Sequence, residues 1–210
     1  MPPQSTDPFF TFAQQAQDGK FDLAHGALLI ARQAYPDLDV DSYLRQLDNM
    51  SQNYRAHHPP AADLVAELAN LSHFIFVDLG FCGNQDAYDD PRNSYLNDVI
   101  DRRLGIPISL SMVYLEVGRR LGLPLAGVNF PYHFLVRSTE SDVLFIDSFA
   151  GGVFVDYRQL GERMPVVDGR KIALKKDYLA PAPPLQVLAR MLRNLKRIHV
   201  QERKFAAAAH

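Results

Sequence analysis

The chain has little cysteine and no tryptophan: Cys82 is the single cysteine among its 210 residues. A single cysteine excludes an intrachain disulfide and is typical of a reducing compartment. No apolar run approaches the roughly 20 residues that a membrane-spanning helix needs. The first residues, MPPQSTDPFF, have neither the basic nor the apolar stretch of a signal peptide. These absences predict a cytoplasmic protein with no membrane partner.

An excess of either charge is also missing. The 22 basic and 24 acidic residues leave a formal net charge of -2 at pH 7, which argues against a nucleic-acid partner. Adjacent basic residues at helical spacing are expected to be the solvated rims of amphipathic helices; they are Arg102 with Arg103, Arg119 with Arg120, and Arg193 with Lys196 and Arg197.

Sequence patterns for cofactors and metals are absent as well. There is no glycine-rich phosphate loop followed by Lys and Ser or Thr. Asp37, Asp39 and Asp41 imitate the start of a calcium loop, but its sixth position is Ser42 where glycine is required. His57 and its neighbouring histidine have no further ligand at helical spacing. We therefore predict no cofactor and no metal site.

Apolar residues at a 3.6-residue period predict helices in the first eighty residues. The expected helices span about 21–34, then from an N-cap at Asp41 to about residue 57, and then about 61–79. A polar, turn-rich connection follows, and a short helix is expected over about 95–104. Residues 1–80 are thus predicted to form an N-terminal helical subdomain.

A longer apolar helix is predicted to begin at Pro107, where a proline fits the first helical position, and to end at Gly122. Beyond it the apolar period changes to two, which indicates strands in LAGVNF, HFLVR, VLFID and GGVFVD. Short connections favour an antiparallel sheet. This pattern puts His133 at the start of one strand and Asp147 at the end of the next. Residues 81–176 should form this α+β core, and residues 177–210 a proline-rich bridge and a final helix.

The contiguous runs NSYLNDVIDRR, GIPISLSMVYLEVGRRLGLP, PYHFLVR and FIDSFAGG resemble the SirB-one proteins, a branch of the transglutaminase-like superfamily that also occurs as a module in some F-box proteins. The resemblance is strong over about Leu64 to Val155 and looser at both ends. It implies a papain-like core, with a central helix against an antiparallel sheet. Separately, the final stretch LARMLRNLKRIHVQERKFAAAA resembles the opening of a tetratricopeptide-type helical repeat. His133 and Asp147 match the His and Asp of the superfamily's catalytic triad, whereas Pro107 replaces its cysteine.

Other residues are weaker candidates for the missing nucleophile. Ser109 should point away from the cleft, because two residues rotate a helix by about 200°. Ser111 shares the side of Pro107 but lies about one turn deeper. Nothing in the sequence places Cys82 beside His133. A protein of this kind would therefore retain a His–Asp pair with no obvious nucleophile.

Further residues are predicted to edge a binding cleft together with Pro107 and Ser109. Tyr132 stands where relatives often carry a small residue, so its phenol should narrow the cleft. Asn84 and Asn93 are expected to organise the polar loop and to help cap the helix after it; the alternative is that this loop edges the cleft.

Two main functions remain open. The first is a non-catalytic domain that binds a protein or peptide partner in a regulatory or adaptor role. The alternative is a hydrolase or acyl-transfer enzyme in which His133, oriented by Asp147, activates Ser111, Ser109, Cys82 or a water. A third possibility is that the domain mainly supports a helical-repeat tail. The oligomeric state is not indicated by the sequence.

Overall fold

Helices form the first part of the chain, as its apolar period predicts. The computed structural model describes residues 22–205; residues 1–21 and 206–210, with the start of the first predicted segment and the end of the last, lie outside the described range. The first helices are α1 (Leu23–Ala31), α2 (Val40–His57) and α3 (Leu64–His73). Helix α3 continues into one π-helical turn, Phe74–Asp78. The predicted helical character of this segment is confirmed.

An aspartate stands directly before each of these helices and accepts a hydrogen bond from a first-turn N–H; these residues are Asp22, Asp39 and Asp63. The prediction that Asp41 caps α2 is wrong. The Asp39 carboxylate accepts from Ser42 N at 3.0 Å, and Asp41 already lies inside the helix. Both aspartates suit a helix start, and the helix begins two residues earlier than the period suggests.

The polar connection contains a short parallel strand pair that the sequence did not predict. Strand β1 (Cys82–Gly83) pairs with β2 (Leu104–Gly105), and helix α4 (Leu96–Arg102) lies between them. A 3-10 turn, Pro91–Asn93, precedes α4. Arg103 has a φ of 60° and ends the helix in the left-handed region. The β1–β2 pair holds this connection against the start of the next helix.

Helix α5 (Pro107–Leu121) has the predicted ends, because Pro107 occupies its first turn and Gly122 closes it at a φ of 78°. Its buried positions extend around most of its circumference, so it is central to the fold as predicted. The expectation that Arg119 and Arg120 form a solvated rim is wrong for Arg120. Its guanidinium is largely buried and donates to the Glu116 carboxylate at 2.6 Å, in a pair that satisfies two charges.

After α5 the chain forms the predicted antiparallel sheet. Its strands are β3 (Leu125–Val128), β4 (Leu135–Ser138), β5 (Phe145–Asp147) and β6 (Val153–Val155), and they are hydrogen-bonded in sequence order. Each strand is joined to the next by a short connection, which is why the order in space follows the order in sequence. The α+β class is therefore confirmed.

Short elements complete the described chain: helix α6 (Tyr157–Glu162), the hairpin of β7 (Val166–Val167) and β8 (Arg170–Lys171), a 3-10 turn at Lys176–Leu179, and helix α7 (Pro184–Gln201). Helix α7 is strongly amphipathic, and its buried residues are Val187, Leu188, Met191, Leu195, Ile198 and His199.

The sheet separates two apolar clusters. Val136 and Ile146 face the larger one, which also contains residues of α1 to α5 and of α7. Leu135 and Phe145, one residue earlier on each strand, face a smaller cluster with α6 and the 3-10 turn before α7. This alternation is the period of two that the sequence shows. No helix within residues 22–205 is both long and apolar enough to cross a bilayer.

Candidate functional site

His133 and Asp147 meet, although His133 is not on a strand. The imidazole Nε2 lies 2.9 Å from Asp147 Oδ1. The prediction that a strand begins at His133 is wrong, because β4 starts at Leu135. Tyr132 adopts a φ of 58°, and His133 N donates to the Phe130 carbonyl at 3.1 Å, so the chain makes a tight turn there. The turn carries the imidazole to the end of β5, where Asp147 stands.

The Asp147 carboxylate is buried and satisfied on both oxygens. Oδ1 also accepts from the backbone N–H groups of Phe149 and Ala150 at 3.1 and 3.2 Å, and Oδ2 accepts from the Arg163 guanidinium. Burial alone would raise the pKa of Asp147, but the hydrogen bond and charge of His133, together with Arg163, hold that pKa below its ordinary value. Asp147 therefore stays ionised and fixes the orientation of the imidazole.

Arg163 is a member of this cluster that sequence reasoning missed. It directly follows α6, and its side chain is about two-fifths exposed. The periodic pattern gives no signal for it, because the contact depends on how α6 packs against the far side of the sheet. One imidazole nitrogen is engaged by Asp147, and Nδ1 makes no hydrogen bond to any residue within 22–205.

A cavity of about 520 Å³ lies beside His133. Its walls come from the start of α5, the turn before β4, the loop after β1, and α7; the lining residues are Ile106, Pro107, Ile108, Tyr132, His133, Phe134, Tyr88, Asp89, Arg190, Asn194 and Arg197. Pro107 and His133 thus share one cavity, as the resemblance implied for the nucleophile position and the histidine. The volume is typical of a ligand site.

The predicted serines do not line this cavity. Ser109 is fully buried, where its hydroxyl donates to the Asn93 carbonyl at 2.5 Å and accepts from Ile106 N at 3.0 Å. Ser111 is also fully buried and donates to the Ser148 hydroxyl at 3.1 Å. Both hydroxyls therefore have structural partners.

Cys82 is exposed and lies on β1, where its N–H donates to the Arg103 carbonyl at 2.8 Å. It is not among the residues that line the cavity. None of the three candidate nucleophiles, Ser109, Ser111 and Cys82, lines the cavity. The residue at the nucleophile position, Pro107, does line it together with His133.

Asn84 and Asn93 organise the loop after β1, as predicted. Asn84 Nδ2 donates to Asn93 Oδ1 at 3.1 Å, and Asn93 Nδ2 donates to the Ala87 carbonyl at 2.6 Å. The prediction that they help to cap α4 is wrong, because that helix starts after Tyr95 with no side-chain cap. Neither asparagine is among the residues that line the cavity, but Asn93 Nδ2 also donates to the carbonyl of Tyr88, which is one of them, at 3.2 Å.

Tyr132 lies at the cavity with four-fifths of its surface exposed. Its positive φ is unusual for a bulky side chain and is maintained by the surrounding turn. Tyr132 is among the lining residues, and the narrowing of the cleft by its phenol stays a prediction.

The contribution of α7 was missed. Arg190, Asn194 and Arg197 follow a spacing of four and then three residues, which puts them on one helix face, and that face forms a wall of the cavity. Arg197 is exposed, as expected of the solvated rim of this helix, and it also lines the cavity, where its guanidinium pairs with Asp89 at 2.7 Å. The spacing was a usable signal, but nothing in the sequence indicated which surface the helix covers.

Metal ligands do not converge in the described chain: residues 22–205 contain no group of three or more His, Cys, Asp or Glu side chains placed to hold an ion.

Comparison with known proteins gives a consistent family. A UPF0162 protein of Xylella fastidiosa (strain 9a5c) is 40% identical over 213 residues, which cover 96% of this chain and 73% of that protein. A UPF0162 protein of Pseudomonas aeruginosa is 34% identical over 84% of this chain and 64% of its own. Human F-box only protein 21 is 31% identical over 67% of this chain but only 27% of its own length. No solved structure matches the chain.

A model of the transglutaminase-like superfamily matches residues 41–193. That range contains Pro107, His133, Asp147 and most of the cavity wall. Together with the helix-against-sheet core, the match establishes that the chain belongs to the transglutaminase-like superfamily.

Proposed function

We propose that this domain binds a segment of a partner protein in the cavity beside His133 and does not cleave or modify it. The observation that carries the proposal is that Pro107 shares the cavity with the imidazole. Attack on an amide or ester needs a thiol or hydroxyl within about 3 Å of its base. A proline ring offers neither, and it has no N–H to stabilise an oxyanion.

The remaining lining suits recognition of a peptide. Apolar and aromatic side chains, among them Ile108, Phe134 and Tyr88, stand beside polar groups from Asn194 and His133. Most small ligand sites combine apolar walls with a few well-placed polar groups in this way. Exposed aromatic residues such as Tyr132 also contribute strongly to protein interfaces.

A regulatory or adaptor role is supported by the relatives. In F-box only protein 21 the matched region is a minor part of a longer chain, so the same domain serves there as one module among others. An exposed, unpaired Cys82 fits work in a reducing, cytoplasmic compartment.

The rival function is hydrolysis in which His133 activates a water. The bond from Nε2 to Asp147 favours it, since it leaves Nδ1 free to act as a base within the described part of the site. Without a nucleophile such a unit retains little activity.

The decisive experiment measures binding and turnover on the same protein. Fluorescence anisotropy with a positional-scanning library of fluorescein-labelled hexapeptides reports binding. The release of nitrophenol from p-nitrophenyl acetate and of nitroaniline from peptide p-nitroanilides reports turnover. Tyr132→Ala should weaken binding by about tenfold, as loss of an interface aromatic does. Tyr157→Ala, an exposed tyrosine outside the cavity, is the matched control and should leave it unchanged.

Turnover that disappears in His133→Ala would overturn the proposal and favour the hydrolase. A library in which no peptide binds, or in which Tyr132→Ala binds as the parent does, would also contradict it.

A further inference from the structure

One wall of the cavity holds a cation that has no acidic partner. Arg190 donates from Nη1 to the Phe130 carbonyl at 3.1 Å and to Asn129 Oδ1 at 3.4 Å. Both acceptors are neutral, and within residues 22–205 the guanidinium forms no ion pair. An arginine carries five N–H donors, so Nη2 and Nε remain available.

The surroundings make this lone cation costly. Arg190 is partly buried, and the Phe134 ring, whose centre lies 5.8 Å from the guanidinium, offers it a cation–π contact but no negative charge. Burial lowers the pKa of Arg190, although the nearby Tyr88 opposes the shift. A guanidinium does not lose its proton in proteins, so the charge remains and is incompletely compensated. A bound anion would compensate it.

The start of α5 adds to the positive potential at the cavity. Arg197 and Asp89 also line it, but they pair with each other at 2.7 Å and together add no net charge. Ile108, the second residue of α5, lies in the lining, and the first N–H groups of a helix have no intrahelical partner. Those groups and the helix dipole favour a negative charge at that end. These contributions are independent of Arg190 and act at the same cavity.

We infer that the cavity binds its peptide through a carboxylate, which pairs with the Arg190 guanidinium. The inference rests on the proposed peptide-binding function and adds its chemistry. A carboxylate matches the forked geometry of a guanidinium. It comes either from an acidic side chain or from a C-terminus. The cavity has room for several atoms beyond the carboxylate, so the adjacent residue of the peptide would lie against Tyr88 and Ile108.

Nuclear magnetic resonance with small probes tests this directly. The ¹⁵N-labelled full chain is titrated separately with N-acetylglutamic acid α-amide, N-acetylalanine and N-acetylglutamine amide. The first carries a side-chain carboxylate, the second a terminal carboxylate, and the third is neutral. At least one carboxylate probe should shift the Arg190 Nε–H signal and saturate, and the neutral probe should not. The probe that binds more tightly identifies the source of the carboxylate.

Variants provide matched controls. Arg190→Gln should weaken binding of the carboxylate probe by about tenfold or more, since a charge-assisted, forked contact is lost. Lys196→Gln removes the same charge from an exposed position on α7 and should change binding by less than about twofold, as expected of a screened surface charge. Should Arg190→Gln fail to fold, the Arg190 signal in the parent protein still decides the question.

Equal binding of all three probes, or no shift of the Arg190 signal, would overturn the inference. So would inorganic phosphate that shifts this signal when neither carboxylate does, because the cavity would then be a phosphate site. Failure here is distinct from failure of the proposed function: hexapeptides that bind without regard to charge leave the binding role intact, and carboxylate-dependent turnover would keep this inference while contradicting that role.

Discussion

At the scale of single residues, Pro107 has a structural role as well as a place in the cavity wall. As the first residue of α5 it has its φ already set for a helix, and its missing N–H has no partner to lose there. Its neighbour across the cavity, His133, is held by Asp147 and has one ring nitrogen free of hydrogen bonds to residues 22–205. The site therefore retains the orientation of a base without a group for it to activate.

A cysteine introduced at this position should become reactive. We predict that Pro107→Cys, in a Cys82→Ser background, is alkylated by iodoacetamide at about pH 6 at least tenfold faster than an ordinary thiol, because a helix N-terminus and a neighbouring imidazole that can take the thiol proton both favour the thiolate. Mass spectrometry over time gives the rate. Cys82 of the parent protein, which is exposed, provides the reference thiol.

Adding His133→Ala should slow this alkylation markedly. A Pro107→Cys thiol that reacts no faster than Cys82 would show that the imidazole and the helix start are not arranged as described.

The second prediction at this scale concerns how the stability that Asp147 contributes depends on pH. Its native pKa lies below the unfolded value of about 3.9, so its contribution to stability is present above that value and is lost as pH falls through the native pKa. Asp147→Asn should cost about 2 kcal/mol at neutral pH, because it weakens hydrogen bonds made to a charged group. Urea unfolding from neutral to acidic pH should show the difference between parent and variant shrinking at low pH. A difference that is constant with pH would contradict the assignment.

At the scale of elements, the sequence predicts those whose ends are marked by proline or glycine or whose apolar period is clear. Both ends of α5 follow from Pro107 and Gly122, and the change of apolar period identifies the sheet. The β1–β2 pair is missed because two-residue strands have no period to detect. The start of β4 is misplaced because the turn at Tyr132 depends on a positive φ that a bulky residue rarely adopts.

The β1–β2 pair also supports the site through Gly83. A methyl group added at Gly83 would lie 2.6 Å from the Phe149 ring and 2.9 Å from the Phe149 carbonyl oxygen, and this ring contacts His133. We predict that Gly83→Ala destabilises the protein by about 1–3 kcal/mol, the usual cost of overpacking. Gly161→Ala is the control: nothing lies within 4 Å of the added methyl, and alanine favours a helix by about 1 kcal/mol.

Thermal unfolding followed by circular dichroism compares the two variants. A Gly83→Ala protein as stable as the parent would mean that Phe149 moves freely and does not support the imidazole.

At the scale of the whole molecule, the cavity is assembled from parts that lie far apart in the sequence. The loop after β1, the start of α5 and the turn before β4 are joined by α7, which reaches them because its apolar face packs into the larger core. No local pattern indicates such a contact, which is why Arg190 was not predicted; the pairing of His133 with Asp147 was predicted from the family resemblance and not from a local pattern. The division into segments 1–80, 81–176 and 177–210 stays a prediction, although one core includes residues from all three.

That shared core predicts a single cooperative unit. Met191 of α7 is fully buried, so Met191→Ala should lower the free energy of unfolding by about 2–5 kcal/mol. Leu192→Ala, at the exposed neighbouring position, should change it by less than about 0.5 kcal/mol. Tyrosine fluorescence and far-ultraviolet circular dichroism in urea should then shift together, with an unchanged slope. If the C-terminal segment were a separate domain, Met191→Ala would affect one of two transitions and leave the other at the midpoint of the parent. Coincident shifts therefore require that α7 unfold with the sheet and α5, and that the cavity between them exist only in the intact fold.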